Sequence, residues 1–247
     1  MGAEHPLEGR VALVTGGSGG IGRALSRRLA AAGAAVAVSY GANAAAAGEV
    51  VREIASAGQR AVAIGADLRQ AEAAEALVAG VEQALGSVDV LVANAGVSRR
   101  LEFDDIDLET WDETLAVNLR APFLLARRTI PGMRARRWGR VLFMSSVAAF
   151  TGGLVGAHYA ASKAGLHGLT HYLARRLAPF GVTVNAIAPA LIAETGMLPG
   201  DPGDLHRLVP VGRLGRPEEV ADLALAVLTN AYVTNQVLSV DGGTHPR

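Results

Sequence analysis

In the stretch His158-Tyr159-Ala160-Ala161-Ser162-Lys163-Ala164-Gly165 a phenol and an ammonium group stand four residues apart. On a helix that spacing puts both on one face. A tyrosine ordinarily keeps its proton up to about pH 10, and a neighbouring cation lowers that value by favouring the phenolate. The pair is therefore a candidate general acid or base near neutral pH. His158 adjoins Tyr159, but adjacent helical residues point about 100° apart, so its expected role is packing or facing a substrate.

A second group of residues could hold a phosphate. Thr15-Gly16-Gly17-Ser18-Gly19-Gly20-Ile21-Gly22 satisfies G-x-G-x-x-G at Gly17, Gly19 and Gly22, and T-G-x-x-x-G-x-G at Thr15, Gly16, Gly20 and Gly22. It lies between an apolar run, Val11–Val14, and a helical pattern from Ile21 to Ala32 that stops at Gly33. Glycines there permit a tight turn and close backbone approach to a pyrophosphate, stabilised at the helix N-terminus. Thr15, Gly16, Ser18, Gly20, Ile21 and Gly22 are the candidate contacts. At the end of the next strand, where a carboxylate would grip an adenosine ribose, stand Ser39 and Tyr40. Their hydroxyls and the Asn43 amide could hydrogen-bond a 2′-phosphate that no carboxylate repels, which favours NADP(H) over NAD(H). Against this, no Arg or Lys lies between Ser39 and Val51.

The elements positioning these groups follow from periodicity. Apolar runs rich in β-branched residues recur at Val11–Val14, Val36–Val38, Val62–Ile64, Val88–Val92, Val141–Met144, Val182–Ile187 and Val237–Val240. Helical patterns cover Ile21–Ala32, Ala44–Ala57, Ala71–Leu85, Trp111–Arg128, Tyr159–Ala178 and Pro217–Leu228. This alternation predicts one α/β domain over residues 1–247, doubly wound and Rossmann-type, with a seven-stranded parallel sheet. Leu191–Gly215, containing Pro199, Gly200, Pro202, Gly203 and Pro210, reads as a long irregular insertion, a candidate substrate lid.

Composition narrows the function classes. Half of the 247 residues are apolar but only 4% aromatic, which suits an aliphatic core. With 23 basic and 23 acidic residues the net charge is zero, so no global field favours nucleic acid or an anionic membrane. The absence of cysteine excludes disulfides, thiolate metal sites and a cysteine nucleophile. Six scattered His without H-E-x-x-H give no metal site. With no signal-like N-terminus and no long apolar span, the expected location is the cytoplasm.

Asp67-Leu68, Asn94-Ala95-Gly96 and Ser145-Ser146 fall at carboxyl ends of predicted strands. With the Thr15–Gly22 loop, Asn118 and Y-x-x-x-K at Tyr159–Lys163, they make the chain resemble the short-chain dehydrogenase/reductase family over nearly its whole length. Gly181-Val182-Thr183-Val184-Asn185 and Gly212-Arg213-Leu214-Gly215-Arg216-Pro217-Glu218-Glu219-Val220 are most similar to the 3-oxoacyl-(acyl-carrier-protein) reductase group. The resemblance implies a nicotinamide-dependent ketone reductase or alcohol dehydrogenase with a catalytic tetrad of Asn118, Ser146, Tyr159 and Lys163. Tyr159 would protonate the carbonyl oxygen, Ser146 hydrogen-bond it, and Lys163 lower the Tyr159 pKa and hold the nicotinamide ribose. Asn118 would position a water connecting Lys163 to solvent. It also implies cofactor contacts from Asp67 and Leu68 at the adenine, from Asn94, Ala95 and Gly96, from Tyr159 and Lys163, and from Pro189, Ile192 and Thr195. The chain departs from the family pattern at Pro189-Ala190, where Pro-Gly is usual, and at Thr195, one residue further on than the commoner form.

A homotetramer is implied, through the Trp111–Arg128 and Tyr159–Ala178 helices and the C-terminal strand. The basic cluster Arg134, Arg136, Arg137 and Arg140 could dock an acidic carrier protein, with Arg137 the favoured residue, or be a solvated loop; Phe180 stands where a second basic residue is usual. Free ketones, sugars and steroids remain rival substrates, and a non-catalytic cofactor-binding regulator the rival class.

Overall fold

A computed structural model of the chain describes residues 5–196, 198 and 202–245. Seven strands form one sheet: β1 (Val11–Val14), β2 (Ala35–Tyr40), β3 (Ala61–Gly65), β4 (Val90–Ala93), β5 (Gly139–Met144), β6 (Val182–Pro189) and β7 (Val237–Val240), in the order β3-β2-β1-β4-β5-β6-β7. All pair in parallel, with Val14 opposite both Val38 and Val92. Strands covered on both faces need continuous rather than alternating apolar residues, and every residue of β1, β4 and β5 is buried. The order reverses direction between β1 and β4, so their carboxyl ends open a crevice there.

Helices cover both faces. On one, α1 (Gly20–Ala31), α2 (Ala44–Ser56) and α9 (Pro217–Thr229) contribute Leu25, Leu29, Val50, Ile54, Val220 and Val227 to a core cluster with β1 and β2. On the other, α3 (Ala73–Ala84), α5 (Ala121–Ala135) and α7 (Ala157–Leu177) bury Leu77, Val81, Leu125, Met133, Leu166 and Leu177. Ion pairs also cross between helices, Arg28 to Asp222 and Arg128 to Glu82. Exposed pairs contribute about 0–1 kcal/mol each, against roughly 1.5–3 kcal/mol for a fully buried leucine, so apolar burial holds the layers together.

The sequence pattern expected one helix over Trp111–Arg128. The structure divides it into α4 (Leu108–Leu115), a π-helical turn (Ala116–Arg120) and α5. Pro122 has no N–H to return to the Asn118 carbonyl four residues earlier, and the Ala121 N–H bonds the Ala116 carbonyl five residues back. Two short helices were also not expected: α6 (Ala148–Thr151), after β5, and α8 (Pro202–Leu205), followed by a 3-10 turn (His206–Leu208). The 191–215 insertion is thus not wholly irregular, and its ends are tied together. Ile192 and Gly215 form a parallel bridge, with Ala193 N–H to Gly215 O and Gly215 N–H to Leu191 O both at 2.9 Å. Among the described residues, no helix is long and apolar enough to cross a membrane.

Candidate active site

The turn between β1 and α1 is shaped by glycines that cannot be replaced without strain. Gly16 and Gly20 have φ of +61° and +41°, in the region L side chains avoid. A Cβ on Gly22 would lie 2.0 Å from the Gly16 carbonyl oxygen. Gly19 caps α1 without a side-chain hydrogen bond, and no acidic residue occupies the first turn. The positive end of the helix dipole is therefore neither capped nor neutralised, which suits a phosphate.

The neighbouring strand end is stitched to this turn. Thr15 Oγ1 accepts the N–H groups of Asn94 and Ala95 at 3.1 and 3.0 Å, and Asn94 Nδ2 donates to the carbonyls of Thr15 and Gly16 at 3.0 and 3.3 Å. Thr15 is thus a buried brace, while Gly16, Ser18, Gly20, Ile21 and Gly22 line the cleft together with Asn94, Ala95 and Gly96. From the opposite side Pro189, Ile192 and Thr195 line it as well. Thr195 closes directly on the glycine turn, since a Cβ on Gly20 would lie 2.9 Å from its Cα. The cradle thus fits a dinucleotide's pyrophosphate.

Ser146, Tyr159 and Lys163 line the same cleft, about 680 Å³ in volume. Ser146 follows β5, and Tyr159 and Lys163 lie one turn apart on α7. Lys163 is buried, and its Nζ donates to the Met144 carbonyl at 2.8 Å. Burial lowers its pKa to about 8, because desolvation disfavours the ammonium. Tyr159 behaves differently from the sequence expectation of a value lowered by the lysine. Burial raises its pKa above the ordinary tyrosine value, and only a hydrogen bond with Ser146 acts in the other direction. Lys163 Nζ stands 5.6 Å from the Tyr159 ring centroid. At neutral pH the phenol therefore holds its proton next to a second hydroxyl, an arrangement that can give a proton to a developing oxyanion.

Asn118 is wholly buried on the π-helical turn. Its Oδ1 accepts the Val97 N–H at 2.8 Å, while Nδ2 donates to the Val97 carbonyl at 3.0 Å and to Ser162 Oγ at 3.1 Å. Ser162 Oγ in turn donates to the Tyr159 carbonyl. The Asn118 side chain thus clamps the chain leaving β4 to the turn of α7 between Tyr159 and Lys163. Ser145 makes a further tie, donating to the Lys163 carbonyl at 3.2 Å and bonding His167 Nε2 at 2.8 Å. His158 is buried beneath the loop after β4, with Nε2 3.1 Å from the Arg99 carbonyl, so its role is packing.

Besides Thr15 and Asn118, five nominated residues lie outside the cleft wall. Ser39 is buried, and its carbonyl accepts the Gly17 N–H. Tyr40 lays its ring across Gly65. The Asn43 side-chain oxygen accepts the Ala46 N–H, capping α2, which leaves only its amide nitrogen for a phosphate. Asp67 makes a two-point ion pair with Arg69 at 2.8 and 3.0 Å, which holds its carboxyl below the usual range. Leu68 packs its side chain into the core, leaving its backbone for any adenine contact. The basic cluster is largely structural too. Arg140 is buried with its guanidinium on the carbonyls of Leu228, Gly139 and Gly181, Arg136 bonds Asp89 and the Val88 carbonyl, and Arg134 stacks on Phe180. Arg137 is exposed at φ +54° and donates to the Pro179 carbonyl.

Several cleft residues were not nominated from the sequence. Val147, Thr151, Leu154 and Val155 follow β5, Leu191, Leu198 and Leu208 belong to the insertion, and Thr244 follows β7. The rule that ligands sit beyond the carboxyl ends of parallel strands covers the first group and Thr244. Among the described residues, the cleft wall carries no ionisable group other than Tyr159 and Lys163.

The chain matches the sequence profile of the short chain dehydrogenases over residues 10–202. It is 38% identical to a 3-oxoacyl-(acyl-carrier-protein) reductase of Aquifex aeolicus, covering 97% of this chain and 99% of that one. It is also 38% identical to an L-rhamnose 1-dehydrogenase (NAD(P)(+)) of Azotobacter vinelandii, covering 95% and 96%. A solved structure of a blue fluorescent protein from a metagenomic library, in complex with NADPH, superposes with a TM-score of 0.92 at 36% identity, over 98% of this chain and all of that one. Full-length likeness in sequence and fold places this chain in the short-chain dehydrogenase/reductase family of oxidoreductases.

Proposed function

We propose that the chain is an NADP(H)-dependent reductase acting on the ketone of an apolar 3-oxoacyl thioester. One observation carries this reading: a tyrosine that keeps its proton faces the same cleft as a helix N-terminus with no side-chain cap, and the wall beyond it is largely aliphatic. When bound, the nicotinamide supplies the hydride. Tyr159 delivers the proton to the carbonyl oxygen, Ser146 holds that oxygen by a hydrogen bond, and ketone plus hydride plus proton gives the secondary alcohol. Lys163 restores the tyrosine proton and holds the nicotinamide ribose, and Asn118 fixes the α7 turn that carries both. Gly16, Ser18, Gly20, Ile21 and Gly22 hold the pyrophosphate, braced from beneath by Thr15, with Asn94 to Gly96, Ile192 and Thr195 beside it.

The preference for NADP(H) rests on Ser39 and Tyr40 ending β2 in place of a carboxylate, and it accords with the NADPH-bound neighbour. The aliphatic wall argues against a polyol, although a sugar dehydrogenase is equally similar in sequence. Residues 191–215 serve as a lid hinged at the Ile192–Gly215 bridge. A carrier protein would meet Arg137, the basic-cluster residue that is both exposed and outside the ion pairs and ring contacts holding its neighbours. Assembly as a tetramer would cover Phe123 and Tyr172, exposed on α5 and α7, and mass measurement in solution checks it. The direct test is NADPH oxidation with a short 3-oxoacyl thioester. Turnover in the parent protein supports the reading. Tight NADPH binding without turnover on any ketone replaces it with a cofactor-binding regulator.

A further inference from the structure

The turn Asp241–His245, which follows β7, is closely bonded. Asp241 accepts the N–H groups of Gly243 and His245 on its two carboxylate oxygens at 3.0 and 3.1 Å, and its carbonyl accepts the Thr244 N–H and hydroxyl. Gly242, at φ +60°, is pressed against the insertion. A Cβ there would lie 2.5 Å from a Val209 methyl and 2.8 Å from a Val211 methyl, and the Gly242 carbonyl accepts the Val211 N–H at 3.2 Å.

The other side of the turn is anchored on the strand end that carries Ser146. The His245 ring stacks on Phe150 of α6, 5.3 Å between centroids and 8° from parallel. Phe150 packs against His167 at 4.7 Å, and His167 bonds Ser145 Oγ at 2.8 Å. The turn therefore spans the gap between α6 and the insertion, the two segments that bound the aliphatic part of the cleft. There Thr244 joins the cleft wall with Leu154 and Leu208.

We propose that Thr244 is a specificity-determining residue, delivered to the substrate wall by this turn, and that it limits the length of acyl chain the cleft admits. The proposal rests on the reductase reading above for its substrate class. It does not require Thr244 to take part in the chemistry.

Thr244→Leu adds bulk to the wall, Thr244→Ser removes only a methyl group, His245→Gly frees the turn, and His245→Phe keeps its aromatic anchor. For a long 3-oxoacyl thioester, Thr244→Leu is expected to lower kcat/KM about tenfold relative to a short one, chiefly through KM. Thr244→Ser and His245→Phe should keep the parent's preference, whereas His245→Gly should blur it. Equal changes for short and long substrates, or an unchanged preference in Thr244→Leu, would overturn the proposal.

A second measurement needs no turnover. Because the chain has no cysteine, the Thr244→Cys protein carries a single thiol. In the presence of NADP+, which cannot supply a hydride, a long 3-oxoalkanoic methyl ester should slow its reaction with a maleimide several-fold, and the short ester should not. Absence of protection overturns the proposal. Protection in a protein that oxidises no NADPH leaves the wall assignment standing and removes the reductase reading instead.

Discussion

The two ends of the cleft are built by different means. At the glycine turn, position is set by backbone: positive φ at Gly16 and Gly20, contact of Gly22 with Gly16, and a hydrogen-bond lattice joining Thr15 to Asn94 and Ala95. At the far end, the wall is made by side chains from α6 and the residues after it, from the 191–215 insertion and from the turn after β7, the last two joined by the Val211 N–H to Gly242 carbonyl hydrogen bond. A site for an invariant group can be built rigidly into the main chain, where exchange of one atom is felt. Selectivity among apolar groups is more easily built from side chains whose exchange leaves the sheet untouched.

That contrast can be broken in order of severity. Tyr159→Phe keeps the ring and removes the proton, so turnover should fall about 10²–10⁴-fold while the dissociation constant for NADPH, read by fluorescence titration, stays within a factor of two or so. Loss of cofactor binding alongside turnover would mean that the phenol supports the rigid end instead.

Lys163→Met tests the cost of placing a charge between the two ends. The folded pKa is lowered to about 8, against an unfolded value near 10.5. Between those values the unfolded chain binds more protons, so the parent's stability rises with pH through that window, by up to roughly 3 kcal/mol relative to the methionine variant. Denaturant melts of both proteins at about pH 7 and about pH 10 measure it. A constant difference between them would show that the ammonium is not desolvated.

Gly22→Ala should cost about 1–3 kcal/mol through forced displacement of the Gly16 carbonyl, together with weaker NADPH binding. Gly19→Ala, one turn position away, meets nothing within 4 Å and has an extended φ of −124°, so thermal melting should barely move. Equal melting shifts in both would deny that the glycine turn is selected atom by atom. The mildest change lies at the opposite end. Leu208→Ala, in an exposed 3-10 turn, should raise KM for an apolar ketone a few-fold and leave both kcat and the melting temperature alone.

The sheet was legible in the sequence because parallel strands covered on both faces must be continuous apolar runs, and β1, β5 and β7 fall within a residue or two of the expected runs. The placement of Tyr159 and Lys163 on one helix followed from their spacing together with the helical pattern over Tyr159–Ala178. What escaped notice depended on single backbone groups or on distant partners. Pro122 carries the signal for the break near Asn118, yet an apolar period reads across it. Arg69, two residues after Asp67, was visible as a partner that would occupy the carboxylate. The raised Tyr159 pKa reflects desolvation by the assembled cleft, which no local pattern encodes. Thr244 meets α6 and the insertion only because β7 ends beside β6.

The Ile192–Gly215 bridge has an evolutionary corollary. Once the two feet of an excursion are stapled side by side, doubling the intervening length costs only about 0.6 kcal/mol in closure entropy. The segment between them can then be grafted, shortened or exchanged like a cassette. On one unchanged scaffold, new substrate tastes could be acquired by recombination within some twenty residues, with little debt to folding.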